Sequence, residues 1–193
     1  MAAPHRAAQR HAPEAARQHR GARWRSALLW LALLWGSTAP APAQEFSEYR
    51  LKAAFLYNFA LFTEWPAEVG ASLHLCIHGA DPFGRELDEL QGKPVGARTI
   101  VLVRKASSDT LKGCQLVFIA APAIGALPRL LEELRERPVL TVAESPGAAR
   151  QGVVLNMAVV GSKISFEANL QAARAARLTL SSKLLRLATE VYQ

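Results

Sequence analysis

The hydrophobic and polar positions of this chain change their period along its length, and the changes mark its elements. Ser47 to Pro66, SEYRLKAAFLYNFALFTEWP, crowds its charges into the first turn and carries none from Ala53 to Thr63. A charge-free run of that length predicts a helix, Phe46 to Phe62, buried nearly all round. Glu48 and Lys52 stand four apart in the order that favours an ion pair, and Pro66 ends the helix. Tyr57 and Asn58 fall inside the apolar run, where each needs a hydrogen-bond partner, so both are expected to tie the helix to a neighbour. Leu73 to Gly79, LHLCIHG, then alternates as a strand does. Asp81-Pro82 opens a short helix, with Asp81 as N-cap and Pro82 at the first position.

Arg98 to Arg104 is a second predicted strand, and Ser107 to Lys112 fits a short helix. Cys114 to Ala120, CQLVFIA, is a continuous apolar run, as expected of a strand covered on both faces. Pro122 to Arg137 places Ile124, Leu127, Leu130, Leu131 and Leu134 at helical spacing, and Val139 to Ala143 is a fourth strand. The pattern then changes. Val153 to Val160 and Lys163 to Phe166 are strands separated by Gly161-Ser162, a hairpin signal. Glu167 to Arg177 and Ser181 to Tyr192 read as helices, the second capped by Ser181 or Ser182. The fold class that follows is α/β: a single domain with a largely parallel sheet flanked by helices and a C-terminal antiparallel hairpin.

Residues 1–43 stand apart from this pattern and read as a signal peptide. Six arginines from Arg6 to Arg25 form a basic n-region, and Ala27 to Trp35 is an apolar stretch of nine residues, short of the roughly 20 that a spanning helix needs. Ala41-Pro42-Ala43 supplies a small-x-small cleavage pattern, so cleavage is expected before Gln44, leaving a domain of residues 44–193. An uncleaved anchor is the alternative. Removing the segment changes the charge picture. Of the chain's 23 basic and 16 acidic residues, the segment holds six and one. The formal net charge of +7 therefore drops to +2, and the basic footprint of a nucleic-acid binder disappears.

Both cysteines, Cys76 and Cys114, lie in the remaining domain. In an exported chain two cysteines are expected to pair, closing a loop worth about 4 kcal/mol in the chain-entropy model; two buried free thiols are the alternative. His74, Cys76 and His78 alternate and so share one strand face, a spacing that could present metal ligands. The domain has no other histidine to complete such a set, and no metal or cofactor is expected. Gly79-Ala80-Asp81-Pro82-Phe83-Gly84 links a strand to a helix N-terminus, where backbone N–H groups can hold an anion. It lacks the Walker pair and a GxGxxG pattern, and a tight connection explains it without a ligand. Gly79, Asp81 and Gly84 are the candidates if a small ligand binds. No G-x-S-x-G or S-x-x-K motif occurs. The acids Glu64, Asp81, Asp88, Glu144 and Glu167 show no spacing that pairs two of them. No constellation supports catalysis, and the chain is not expected to be an enzyme.

Four blocks carry a resemblance to a known family. They are Leu51 to Phe59 with Trp65-Pro66; Asp81 to Gly84 after a cysteine-bearing strand; Val139 to Val142 followed by Ser145-Pro146-Gly147; and Ile164 to Leu170 followed by Leu180 to Leu185. In this order the chain resembles the YfiR family of exported bacterial proteins. The resemblance implies an α/β domain in the periplasm that can form a homodimer. It further implies a regulator that inhibits an inner-membrane diguanylate cyclase by binding its periplasmic sensor region, lowering cyclic di-GMP and restraining biofilm formation. It also implies release aided by an outer-membrane lipoprotein. Partner contact is expected around Phe166, Glu167 and Asn169, with core packing the favoured alternative for Phe166 and a helix cap or ion pair the alternative for Glu167, and Cys76 with Cys114 matches one family disulfide. A second family disulfide would fall between Glu144 and Met157, where this chain has no cysteine. Leu61 stands where many relatives carry lysine. The other function class is a small-ligand sensor that uses the Gly79–Gly84 turn.

Overall fold

The apolar runs assemble around one central strand. The computed structural model describes residues 43–161 and 163–193, so all of the predicted signal peptide but Ala43, and Ser162, lie outside the described residues. The N-terminal helix α1 (Ala43–Leu61) leads into β1 (Thr63–Glu64) and then β2 (Ser72–His78). After β3 (Pro94–Val95), β4 (Arg98–Lys105) pairs in parallel with one side of β2, and β5 (Leu116–Ile119) with the other. Helix α2 (Leu127–Glu133) precedes β6 (Leu140–Ala143) and β7 (Leu155–Val160), which extend the sheet in parallel from β5. Gly161, at φ 63°, occupies a conformation that favours glycine, and β8 (Lys163–Asn169) returns antiparallel to β7. Helix α3 (Leu170–Ala175), β9 (Thr179–Leu180), the single turn α4 (Ser182–Leu185) and β10 (Glu190–Tyr192) follow. The strand order is β10-β8-β7-β6-β5-β2-β4-β3, with β10 parallel to β8 and β3 antiparallel to β4. β1 and β9 form a separate antiparallel pair. The expected fold class holds, and β10 adds one strand outside the hairpin.

Strand alternation divides the core between two faces. Leu73, Leu75, Ile77, Leu116, Phe118, Leu140 and Val142 pack on one side with Leu56 and Phe59 of α1. Cys76, Val117, Ile119 and Ala143 face the other side, under Leu127 and Leu130 of α2. The disulfide between Cys76 and Cys114, with 5.9 Å between Cα atoms, lies on this second face. That core ends with the loop carrying Ala148, Ala149 and Val153. Further along, Ser165, Glu167 and Tyr192 are half-buried and Lys163 and Glu190 exposed.

Several local expectations are corrected. Helix α1 is buried on one side only: Lys52, Ala53, Leu56, Phe59 and Ala60 face the sheet, whereas Leu51 (44% exposed) and Leu61 (41%) face outward. Lacking charge does not bury a face, since apolar atoms supply much of any protein's surface. Tyr57 does tie α1 to a neighbour, donating to Pro94 O at 2.9 Å, but Asn58 is exposed and donates to Ala54 O of its own helix. Residues 107–112 form a turn closed by Asp109 Oδ2, which accepts Ala106 N–H at 2.9 Å, not a helix. The expected helix over 122–137 splits into a 3-10 segment, Ala121–Ala126, and α2. Pro128 disfavours a continuous passage between them, since it has no N–H for an upstream carbonyl. Asp81 closes the turn before a 3-10 segment, Gly84–Leu90, whose N-cap is Phe83. Glu167, Ala168 and Asn169 belong to β8, and Asn169 caps α3 by accepting Ala172 N–H at 2.8 Å. Ser181 caps α4 as expected, at 3.2 Å from Leu184 N. The expected long last helix ends after one turn, because Thr189 N–H and hydroxyl both donate to Phe166 O and draw the chain onto the sheet edge.

The Glu48–Lys52 pair forms at 2.5 Å, but it is half of a larger feature. Lys52 Nζ also lies 2.6 Å from Glu144 Oε2, and both side chains are buried. The ammonium stands 4.5 Å from the Tyr49 ring centroid. Burial works against the charge on Lys52, but hydrogen bonds to Glu144 and Glu48 outweigh it and hold the ammonium above the ordinary lysine value. Breaking a buried pair leaves a charge uncompensated, whereas removing both partners does not. Glu144→Gln is expected to lower stability by about 2 kcal/mol, with Glu48 limiting the loss. Lys52→Met combined with Glu144→Gln should cost less than Glu144→Gln alone, as urea denaturation at pH 7 of the three variants and the parent would measure.

Candidate functional site

The turn after β2 is organised by one carboxylate. Asp81 Oδ1 accepts the backbone N–H of Phe83 at 2.8 Å and of Gly84 at 3.3 Å, and its Oδ2 accepts Arg104 Nε at 2.6 Å. Arg104 continues to Asp88 Oδ1 at 2.8 Å and Gly84 O at 2.9 Å. The strand order sets this turn beside the one after β5, where the sheet's direction of growth reverses and open α/β sheets commonly bind ligands. Here that crevice is closed. A Cβ on Gly79 would stand 3.1 Å from Ala123 Cβ and 3.6 Å from Ala120 Cβ, and its φ of 97° also calls for glycine. The two amides aimed at the turn already hold Asp81. Gly79, Asp81 and Gly84 thus form a self-neutralised connection clamped by arginine.

His74, Cys76 and His78 share a strand face, but only as separate groups. Cys76 is committed to its disulfide, so it offers no thiolate to a metal. His74 Nδ1 lies 3.1 Å from Gln115 Oε1. His78 is buried, and its Nδ1 has no hydrogen-bond partner. Burial pushes His78 below the ordinary histidine value, against the raising effect of Glu133 and Asp109, while Arg129 adds to the lowering. Among the described residues, no group of three His, Cys, Asp or Glu side chains could hold a metal ion.

Of the residues expected at a partner contact, the structure separates three roles. Phe166 is 2% exposed and packs edge-on against Phe59 and Phe55, with ring centroids 5.1 and 6.3 Å away. Asn169 is also buried; its Nδ2 donates to Ala149 O at 2.7 Å and its Oδ1 caps α3. Glu167 alone reaches solvent. Strand pairing aligns Ala143, Asn156, Glu167 and Glu190 in one row across the second face. The same row continues through Ile119 to His78. Four strand spacings, about 19 Å, separate His78 from Glu167, so the two candidate regions do not form one site.

A side-chain network surrounds Glu167. Asn156 Nδ2 donates to its Oε2 at 3.1 Å, and Tyr192 hydroxyl lies 3.2 Å from its Oε1. The same hydroxyl is 2.7 Å from Glu190 Oε2 and accepts Arg150 Nε at 3.0 Å. The guanidinium of Arg150 stacks over the Tyr192 ring, 5.6 Å from its centroid, and lies 3.6 Å from Glu190. Sequence reasoning missed Arg150, Asn156, Glu190 and Tyr192. The alternation of Glu190 and Tyr192 was the one available signal, and it lay within a predicted helix. Behind Asn169, an open groove of about 800 Å³ runs between α2 and α3, lined by Leu131, Leu134, Val139, Thr141 and Ala172. Its floor is already paired: Thr141 Oγ1 accepts Val154 N–H at 2.9 Å.

The YfiR/HmsC-like family profile matches residues 49–189. No curated protein matches the chain. Among solved structures, the chain is similar to a conserved domain protein from Vibrio cholerae O1 biovar El Tor strain N16961, at a TM-score of 0.50 and 10% identity. The match covers 74% of this chain and 60% of that one, and the likeness is one of fold. No helix among the described residues is long and apolar enough to cross a membrane.

The buried His78 has a testable consequence. Burial holds it below the ordinary histidine value in the folded state, so unfolding takes up protons as the pH falls through about 6.5. Its effect on stability is absent above that pH and grows as the pH falls toward its lowered folded value. Urea denaturation at pH 7 and pH 5 should show a smaller acid loss for His78→Met than for the parent chain; an equal loss in both would exclude a buried neutral His78.

Proposed function

Since the chain belongs to the YfiR/HmsC-like family, we propose that it is a periplasmic regulator acting by protein binding, not catalysis. Its target is the periplasmic sensor region of an inner-membrane diguanylate cyclase, and binding lowers cyclic di-GMP and restrains biofilm growth. The observation that carries the reading is Glu167: a half-buried carboxylate held by Asn156 and Tyr192 on a sheet face that lies beyond the second core. A strand fixes such a side chain more firmly than a loop would, as a recognition site requires. The disulfide between Cys76 and Cys114 suits an oxidising compartment. An outer-membrane lipoprotein as the releasing partner and a homodimer as the working state belong to the same reading.

The small-ligand sensor finds less support. Its turn is occupied by Asp81 and clamped by Arg104.

Glu167→Lys tests the regulator reading. The half-exposed position should accept lysine without loss of fold, seen as a melting temperature within a few degrees of the parent. Binding to the cyclase sensor region should weaken about tenfold or more, with a matching rise in cellular cyclic di-GMP. A folded variant that still represses would remove Glu167 from the contact.

A further inference from the structure

Among the described residues, two buried side-chain polar atoms lack a hydrogen-bond partner, and His78 Nδ1 is one of them. The ring is 1% exposed, and an unpaired polar atom at such a place is unusual in a native fold. Lys105 of β4 and Ile119 of β5 are the register neighbours of His78. A Cβ on Gly79, the next residue, would stand 3.1 Å from Ala123 Cβ of the 3-10 segment and 3.7 Å from Ser107 Oγ of the turn over residues 107–112. The charged groups that face His78 from these elements are Glu133 and Arg129 of α2, Asp109 of the turn and Lys105 of β4. The turn itself is lightly held. Residues 107–110 are exposed, and Leu111 is its buried anchor. Glu133 secures it through one oxygen, Oε1, which accepts the Thr110 hydroxyl and the Leu111 N–H, each at 2.7 Å. An element with so few buried contacts is among the first to open.

We infer that His78 and Glu133 form an acid-operated latch: when the imidazole takes up a proton, Glu133 turns from Thr110 and Leu111 to the imidazolium, and the turn over residues 107–112 opens. In the neutral ring one nitrogen donates and the other accepts, whereas in the charged ring both donate. Protonation therefore adds a donor at a buried place that offers it no acceptor, and a charge that needs a counter-charge. Two carboxylates face the ring. Asp109 Oδ2 is taken up within the turn by Ala106 N–H, and Glu133 has the larger favourable effect on the His78 charge. Burial and Arg129 work against that charge, so the closed turn keeps the ring neutral at pH 7. Glu133 remains ionised at pH 5, because the Thr110 hydroxyl, against the raising effect of burial, holds its carboxyl below the ordinary value. The titrating group between pH 7 and pH 5 is thus the histidine. Once the turn is open the ring regains its ordinary value near 6.5, so opening is favoured as the pH falls through that value, by at most about tenfold per pH unit.

The test is amide exchange followed residue by residue by NMR at pH 7 and pH 5, each rate being divided by its intrinsic value at that pH to give an opening constant. Leu111 N–H bonds Glu133, and Lys112 N–H bonds Thr110 Oγ1 at 3.2 Å, so both amides report on the latch. In the parent chain their opening should rise about tenfold from pH 7 to pH 5, and should stay well above that of Val117 in β5, which exchanges only when the sheet opens. His78→Met should remove the rise. His74→Gln, which changes the other histidine of residues 44–193, should keep it. Glu133→Gln, made on the half-buried outer partner and so less of a risk to the fold, should show raised opening already at pH 7 and little further rise in acid. The latch is overturned if the parent shows no rise, if the rise persists in His78→Met or in Glu133→Gln, or if Leu111 opens no more readily than Val117, which would make the acid effect one of global unfolding. No partner protein enters these measurements, so their outcome is separate from that of the regulator reading.

Discussion

A parallel strand has to be covered on both faces, and β2 is where that requirement falls hardest. It pairs in parallel on both sides, so neither of its faces can be left to water without exposing an apolar row. Helix α1 answers for one face, through Leu56 and Phe59, while α2 and the Cys76–Cys114 link answer for the other. The requirement lapses at the hairpin. Once β8 runs antiparallel to β7, one face can carry polar residues and remain wet. The change of strand direction is therefore what permits Glu167 to stand on an open face while Phe166, one residue away, is core.

Covering β2 places one charge in an awkward position. Helix α1 crosses the carboxyl ends of the strands near its start, and Lys52 there faces inward. An ammonium taken out of water is tolerated only with partners close by. Glu48 comes from the same helix and Glu144 from the residue after β6, so the pair also fixes α1 against the sheet. The Tyr49 ring adds a favourable face toward the same ammonium. The buried Lys52–Glu144 pair is thus a locating pin for the helix that closes the main core.

The parallel half of the fold was legible because its strands are continuous or alternating apolar runs, each bounded by glycine or proline. The last third was not. Glu167 to Arg177 is rich in good helix formers, yet pairing with β7 holds Glu167 to Asn169 extended, a case of tertiary contact overriding propensity. Strand β10 has three residues, too few for their alternation to stand out from the predicted helix, and its place was decided by Thr189 reaching Phe166 O. The Lys52–Glu144 pair spans 92 positions, and no local pattern announces a contact that long. Glu167 was named from resemblance to a family, whereas the groups that hold it come from three other segments and became visible only when the strands were aligned.

The network around Glu167 and the core meet on one strand, and this sets how the carboxylate can be moved. With a period of two, Phe166 and Ala168 point into the aromatic cluster beneath α1, and Glu167 and Asn169 point to the other side. Asn169 secures the end of β8 twice, to Ala149 O and to the start of α3. The backbone beneath Glu167 is therefore fixed from the core, and the carboxylate's position is set by packing it does not share in. Phe166 and Asn169 thus hold the strand, and the strand holds the charge. A change at either would reach Glu167 only through the geometry of β8, which is a different physical effect from removing the carboxylate itself.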